Sequence, residues 1–435
     1  MKYYLYIVGC AMNHSDAERI SALLSMLGLQ QSDNESEADL LIAVACSVRQ
    51  SAVNRIYAKG ESWKRRKGVI TALSGCVLSK DKKKLEKIFD YIFPIEEIGA
   101  FVQKIILNKD NYNDHPLPKI EEIKESYFKI TPQYESIFRA YIPIMTGCDN
   151  FCSYCAVPYV RGREKSRPEE DILKEFKSLV ERGIKEIILL GQNVNSYGIN
   201  NKAQIPNNKF VDLIKKIDKT PGDYRVYFYS NHPKDISGEL IKTLPRLKHF
   251  PNYLHLPLQS GNDEILKKMN RKYTQEKYLD LVEKIKKEMP DITITTDIIV
   301  GFPGETISQF NDTQKVMKEV GYGMAFIAQY SPRPETLSSK MEDDVPKEEK
   351  KNREAVLQRI LADSMLAQNK SMVGSKQRVL VDGKKGDYYY GRTDSYKVVE
   401  INLKLKTDNQ EPTLGKFYNA KIVKAEPWKL IATLS

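Results

Sequence analysis

Apolar runs and helical periodicities alternate along the chain in three styles. The first stretch opens on an apolar run, Tyr3 to Val8, and passes to helical spacing at Ile20, Leu23, Leu24 and Leu27. It then returns to a second apolar run, Leu40-Leu41-Ile42-Ala43-Val44. Strand, amphipathic helix and strand in that order predict a βαβ start and a parallel sheet. A third run, Val69 to Leu73, follows a Lys/Arg-rich helical segment around Trp63–Lys67 and leads into Gly75-Cys76. Periodicity breaks over 109–133, where Asn113-Asp114-His115-Pro116-Leu117-Pro118 and a charged stretch read as a linker.

From about residue 138 the strand-like runs Arg139–Met145, Glu186–Leu190, Tyr224–Tyr229, Tyr253–Leu258, Thr293–Val300 and Met324–Tyr330 alternate with amphipathic stretches such as Glu169–Arg182 and Gln275–Glu288. Six βα units predict a partial TIM-like (βα)6 barrel whose site lies at the strand C-termini. A Glu/Lys-rich helix from Pro346 to about Met372 ends the alternation. Short strand patterns at Gln377–Gly383, Tyr388–Arg392 and Asn419–Lys424 then predict a small β-barrel. The expected architecture is α/β: a Rossmann-like domain over 1–118, the partial barrel over 134–365 and the small β-barrel over 370–435.

With 435 residues, 41% hydrophobic and 29% charged, the chain suits several folded domains and neither a disordered nor a fibrous protein. No run reaches the roughly 18 apolar residues of a membrane span. The N-terminal residues lack the charge and apolar length of a signal peptide, so a cytoplasmic, reducing location is expected. There, six cysteines serve as ligands or nucleophiles rather than disulfides. Residues 370–435 hold 13 Lys and Arg against 7 Asp and Glu, a net +6 of the chain's +11, which points to RNA binding by the last domain.

Cys148, Cys152 and Cys155 form a C-x3-C-x2-C run after the first strand of the predicted barrel. Tetrahedral zinc would need a fourth ligand, and none of His14, His115, His232, His249 or His255 is close in sequence, although a distant one could fold in. A 4Fe-4S cluster on three cysteines instead leaves one iron open, the arrangement that binds S-adenosylmethionine (SAM) in radical enzymes. Cys10, Cys46 and Cys76 each follow an apolar strand and a small residue. In a parallel sheet those strand ends share an edge, so these three thiols are expected to converge on a second open-iron cluster.

The motifs Gly9-Cys10-Ala11-Met12-Asn13, Cys46-Ser47-Val48-Arg49, Gly75-Cys76, the Cys148/Cys152/Cys155 run with Val157-Pro158-Tyr159-Val160-Arg161-Gly162-Arg163-Glu164-Lys165-Ser166-Arg167-Pro168, and the basic C-terminal barrel together resemble the radical-SAM methylthiotransferases over nearly the whole chain. Leu189-Leu190-Gly191-Gln192-Asn193-Val194-Asn195-Ser196-Tyr197, His255 to Gly261 and Asp297 to Thr306 resemble the tRNA-acting branch. The resemblance implies conversion of N6-isopentenyladenosine at position 37 of tRNA to its 2-methylthio form, using two 4Fe-4S clusters and two SAM molecules. Its alternatives are threonylcarbamoyl-adenosine tRNA or a ribosomal protein as substrate.

It also implies a TRAM-type RNA-binding barrel over 370–435, the anticodon stem-loop of tRNA as partner, an electron donor such as flavodoxin or ferredoxin, a sulfur donor, no membrane, and a monomer. Ala11 replaces the Gln usual after the first cysteine, and Val44-Ala45 the usual Asn-Thr before the second. Both departures remove polar groups beside the second cluster.

Tyr154, Gln192, Asn193, Ser230, Gln259, Ser260, Glu305 and Gln329 are the expected SAM contacts. Most of them lie at or just after strand C-termini, where an ordinary loop or capping role competes. Arg161, Arg163, Arg167 and Arg392 are the expected RNA contacts, against a solvated-surface reading. Tyr388-Tyr389-Tyr390 either stack bases or build the barrel core, and His255 reads as a core histidine. A metal-stabilised RNA-binding protein without catalysis is the competing class, and it would be colourless rather than brown.

Overall fold

A computed structural model describes residues 1–46, 50–107, 127–198, 210–402 and 411–434. Most of the expected linker, Ser47-Val48-Arg49 of the second cysteine motif, and the proposed boundary at 118 lie outside these. The chain forms two compact units. The first comprises 1–135, 145–167 and 331–339; the second comprises 136–144, 168–330 and 340–435.

The first unit is built on a five-stranded parallel sheet of β1 (Lys2–Val8), β2 (Gln30–Gln31), β3 (Leu40–Ala45), β4 (Ile70–Gly75) and β5 (Tyr91–Ile92), in the order β2-β1-β3-β4-β5. Central β3 is buried at all six positions, as a strand covered on both faces must be. On one face α1 (Ala11–Met26) and α4 (Ile98–Leu107) enclose Ile20, Leu24, Phe101 and Val102; on the other α2 (Gln50–Lys64) and α3 (Ser79–Leu85) enclose Ile56, Trp63 and Leu85. The same unit carries a two-stranded antiparallel hairpin, β7 (Met145–Thr146) with β8 (Lys165–Ser166), whose connection holds the C-x3-C-x2-C run and the short α5 (Val157–Arg161).

In the second unit six strands occupy the positions that the alternation predicts: β6 (Arg139–Pro143), β9 (Glu186–Leu190), β10 (Arg225–Phe228), β11 (Tyr253–His255), β12 (Thr293–Val300) and β13 (Met324–Gln329). They form two parallel three-stranded sheets, β10-β9-β6 and β11-β12-β13. The covering helices are α6 (Glu169–Glu181), α7 (Phe210–Asp218), α8 (Gly238–Thr243), α9 (Asp263–Lys268), α10 (Gln275–Glu288) and α11 (Ile307–Val320). Their ends are chemically marked. Three acids open α6 where the helix dipole favours them, Thr306 and Gln309 form a capping box on α11, and Gly321 closes α11 in the left-handed conformation. The 25-residue α12 (Lys347–Ser371) buries Arg353, Leu357, Leu361, Met365 and Asn369, one residue per turn on one stripe.

Strands β14 (Lys376–Lys385), β15 (Tyr388–Thr393), β16 (Val398–Asn402), β17 (Phe417–Ala425) and β18 (Leu430–Leu434) close a barrel in the order β14-β15-β16-β18-β17 around Val379, Val381, Tyr389, Val399, Ile401 and Ile422. Of the tyrosine run, Tyr389 joins this core and Tyr388 is exposed, as strand alternation requires. Within this unit a fully buried Glu186 on β9 takes ion pairs from Arg139 on β6 and from Arg225 on β10, the latter at 2.7 Å. Arg225 also donates to the carbonyls of Arg392 and Thr393, and Arg139 reaches Asp382 at 3.1 Å. The charged triad thus fastens the small barrel to the (βα)6 strands.

Candidate functional site

Strand register brings the first three cysteines together. Val8 on β1 pairs with Ala45 on β3, and Ala45 pairs with Gly75 on β4, so Cys10, Cys46 and Cys76 all leave one edge of the sheet. Two further contacts lock these exits. The Cys76 N–H donates to the Ala45 carbonyl at 2.9 Å, and fully buried Asn13 donates from Nδ2 to the same carbonyl at 2.8 Å while its Oδ1 accepts from the Cys10 N–H at 3.1 Å. Glycine is required beside two of the thiols. A Cβ on Gly9 would lie 2.0 Å from Asn13 Oδ1, and one on Gly75, at φ +94°, would lie 2.5 Å from the Ala45 carbonyl oxygen.

Burial pushes the Cys76 thiol up to about 12; the nearby Arg161 guanidinium opposes this, and Cys46 and Cys10 reinforce it. Arg161 is itself buried. Its Nε lies 3.1 Å from Cys76 Sγ and its Nη2 lies 2.5 Å from Asp16 Oδ2, while Asp16 Oδ1 accepts from the Tyr127 hydroxyl at 2.8 Å. Burial works against the guanidinium charge, but the Asp16 carboxylate outweighs it and holds Arg161 well above the ordinary guanidinium value.

The second thiol set is shaped by the hairpin connection. Gly147 sits at φ +78°, where a Cβ would lie 2.1 Å from the Arg163 carbonyl oxygen, and Phe151 also has positive φ. The loop is pinned by Cys148 N–H to the Gly162 carbonyl (3.2 Å), Cys155 N–H to the Cys152 carbonyl (2.9 Å), and the Asp149 carboxylate to Arg163 Nε and the Glu164 N–H. Burial pushes the Cys148 thiol up to about 11, opposed by hydrogen bonding from Asn150, whose Nδ2 lies 3.5 Å from the sulfur. Tyr154 lies half-buried in the same loop.

Both sets fit an iron–sulfur cluster by their chemistry: three soft thiols each, approached by glycine backbone and N–H donors. Among the described residues no three His, Cys, Asp or Glu are spaced to hold a single metal ion. In a 4Fe-4S cube each thiolate binds a different iron.

In the second unit the ends of β9 and β10 carry buried polar atoms without a hydrogen-bond partner among the described residues: Gln192 Oε1, Asn193 Oδ1, Asn195 Nδ2, Asn231 Oδ1 and His232 Nε2. The other ends of the three asparagines are fixed. Asn193 donates to Asp235 (2.8 Å), Asn231 donates to the His255 carbonyl (2.7 Å), and Asn195 Oδ1 accepts from the His232 N–H (3.3 Å). Burial, with Arg271 and Lys234, lowers the His232 imidazole to about 2, so it is neutral. Its Nδ1 accepts from the Lys234 N–H, which leaves Nε2–H as a donor. Ser230 and Gln259 flank this group at φ +65° and +70°, uncommon for non-glycine residues.

Of the expected SAM contacts, Gln192 and Asn193 thus belong to an unsatisfied polar cluster, and Ser230, Gln259 and Ser260 lie at neighbouring strand ends. Glu305 and Gln329 have hydrogen-bond partners within the protein. Glu305 is buried against Arg353 (2.7 Å) and the Gly301 N–H (2.6 Å), and Gln329 donates to Glu354 (2.7 Å). Of the expected RNA contacts, the Arg161 guanidinium faces Asp16 and Cys76, and Arg167 is buried. Arg163 remains largely exposed; Arg392 is half-buried beside Asp382. His255 bonds Thr295 and Asp297, as a core histidine does. Asn195, Asn231 and His232 were not among the expected SAM contacts, although Asn195 lies in the 189–197 motif and all three follow an apolar strand.

Residues 142–317 match the Radical SAM superfamily, residues 2–94 the Uncharacterized protein family UPF0004, and residues 370–434 the TRAM domain. The chain is 39% identical to tRNA-2-methylthio-N(6)-dimethylallyladenosine synthase of Clostridium perfringens (strain SM101 / Type A), over 98% of this chain and 96% of that one. It is 40% identical to the protein of the same name from Clostridium novyi (strain NT), over 99% and 95%. Among solved structures it is similar in fold to the radical S-adenosylmethionine methyltransferase TsrM from Kitasatospora setae, with TM-score 0.54 and 13% identity, over 78% of this chain and 73% of that one. The chain belongs to the family of tRNA-2-methylthio-N(6)-dimethylallyladenosine synthases, within the radical SAM superfamily.

Proposed function

We propose that the protein is a tRNA methylthiotransferase that converts N6-isopentenyladenosine at position 37 to its 2-methylthio form. The observation that carries this reading is the presence of two separate three-thiol sets in one compact unit, in a chain that shares its family with tRNA methylthiotransferases. In this reading Cys148, Cys152 and Cys155 hold a 4Fe-4S cluster and Cys10, Cys46 and Cys76 hold a second. When bound, the clusters supply an electron that splits SAM to a 5′-deoxyadenosyl radical, and the sulfur that is methylated and inserted.

The chain's own residues position and select. Asn13, Gly9 and Gly75 fix the first thiol set; Gly147, Asp149 and Asn150 shape the second. Gln192, Asn193, Asn195, Asn231 and His232 offer acceptors and a neutral imidazole donor, a mixture suited to the ribose hydroxyls, ammonium and carboxylate of SAM, with Ser230, Gln259 and Ser260 as further contacts. Arg163, Arg392 and the basic barrel over 370–435 take the RNA backbone, anticodon stem-loop included. The three functional parts run over 1–118, 134–365 and 370–435. An electron donor such as flavodoxin or ferredoxin and a sulfur donor serve a monomer. No helix among the described residues is long and apolar enough to cross a membrane.

The test is nucleoside mass spectrometry on isopentenyladenosine-bearing tRNA, incubated anaerobically with reconstituted protein, SAM and a strong reductant. The expected result is a methylthio product that disappears in Cys10→Ala and in Cys152→Ala. Formation of 5′-deoxyadenosine with unchanged tRNA would refute the substrate. Absence of SAM cleavage in iron-loaded protein would refute the radical chemistry.

A further inference from the structure

We propose that Arg161 is a positioning residue that sets the reduction potential of the cluster on Cys10, Cys46 and Cys76, through its hydrogen bond to the Cys76 sulfur. The inference rests on the reading that those three cysteines hold a second 4Fe-4S cluster. Arg161 ends α5, the short helix that follows Cys155, so it belongs by sequence to the other thiol set. Its side chain nevertheless lies against Cys76, with Nε 3.1 Å from Sγ.

The guanidinium is held there by a relay. Asp16, fully buried on α1, accepts from Arg161 Nη2 at 2.5 Å and from the Tyr127 hydroxyl at 2.8 Å. A planar fork suits this double duty, since Nε and Nη2 donate along one edge to two different acceptors. The third nitrogen, Nη1, is buried and has no acceptor among the described residues. Burying a guanidinium is costly unless its donors and charge are answered, and Asp16 answers only part of both.

A 4Fe-4S core bound by three thiolates carries a net negative charge, and reduction adds one more. Arg161 therefore meets two anionic partners when the site is loaded, and its interaction with the sulfur side strengthens as the cluster gains an electron. Hydrogen bonds to cluster sulfurs and nearby positive charge raise reduction potentials by this differential stabilisation. The same contact limits rotation of the Cys76 side chain, so the ligand keeps its geometry in both oxidation states.

The experiment uses the full chain with Cys148, Cys152 and Cys155 all changed to Ala, reconstituted with iron and sulfide, so that only the second cluster remains. Iron content of this parent comes first: a parent that binds no cluster contradicts the two-cluster reading and removes the basis for the inference. In a parent that does bind one, the potential is measured by an EPR-monitored redox titration and compared with that of Arg161→Lys.

Lysine keeps a positive charge beside Asp16 but cannot donate to Asp16 and Cys76 along one planar edge. The expected result is a more negative potential, with the reduced-to-oxidised ratio at fixed poise lowered about tenfold, equivalent to 59 mV for a one-electron couple. The charge-neutral pair Arg161→Gln with Asp16→Asn, which leaves no buried ion unpaired, is expected to shift in the same direction and gives the reading should the lysine variant load poorly. An unchanged potential in iron-loaded variants overturns the proposal.

Discussion

Replacing Asn13 by Ala removes two hydrogen bonds at once, the buried 2.8 Å donation to the Ala45 carbonyl and the part-buried 3.1 Å acceptance from the Cys10 N–H. At roughly 1 kcal/mol net for each, the cost is about 2 kcal/mol, because the Ala45 carbonyl keeps its bond from the Cys76 N–H and exposed Cys10 can turn its N–H to water. The penalty falls on the Cys10 loop rather than on the sheet, whose core does not include Asn13. A local cost of that size raises the population of the displaced loop about thirtyfold.

The assay is the rate of iron loss to a chelator from protein in which Cys148, Cys152 and Cys155 are Ala. Asn13→Ala is expected to lose iron on the order of thirtyfold faster than this parent, with far-UV circular dichroism unchanged. Asn13→Asp, which keeps the acceptor for Cys10 and loses the donor to Ala45, should fall between the two. Iron loss from Asn13→Ala at the parent rate would refute the role given to this side chain.

Gly75→Ala meets a positive φ and a 2.5 Å contact with the Ala45 carbonyl oxygen, so the β4 exit must shift and iron bound at Cys10, Cys46 and Cys76 should fall in the same background. Glu186→Gln leaves Arg139 and Arg225 without their buried counter-charge and should cost about 3–5 kcal/mol in urea unfolding of the full chain. Burial alone would raise the Glu186 carboxyl, but Arg225 and Arg139 win and hold it below the usual range. Its contribution is therefore complete above the unfolded carboxylate pKa and fades as pH falls through the lower folded value; the Gln variant should lack this acid-side loss. His232, lowered to about 2 by burial, Arg271 and Lys234, contributes stability above the ordinary imidazole pKa that is lost as pH drops below it, and its NMR signals should show no titration between pH 8 and 5. Arg163→Ala should weaken tRNA binding with a salt slope shallower by about one.

The six barrel strands, the βαβ opening and the cysteines at one sheet edge were legible because each depends on local apolar patterning followed by a small residue. What was illegible depends on distant partners. Strands β16 and β18 pair with each other in parallel to close the small barrel, and that pairing has no local signal. Arg161 sits in Arg161-Gly162-Arg163, which reads as a basic surface turn, yet one arginine is buried on Asp16 and the other is exposed. Glu305, placed beside a Gly/Pro turn where a ligand would fit, is claimed by Arg353 from 48 residues away. The Gly301 turn is likewise explained by protein packing, since a Cβ there would lie 2.3 Å from Lys350 Cγ. Asn195, Asn231 and His232 are ordinary loop residues in sequence, and what marks them is one buried polar atom on each that has no partner among the described residues.

The most direct test of a two-cluster enzyme is iron and sulfide analysis of three anaerobically reconstituted proteins: the native chain, the Cys10/Cys46/Cys76→Ala variant and the Cys148/Cys152/Cys155→Ala variant. The native chain is expected to carry two 4Fe-4S clusters' worth of iron and each variant one, with SAM cleavage retained only where Cys148, Cys152 and Cys155 remain. Native iron no greater than one cluster, or loss of all iron in either variant, would contradict the account.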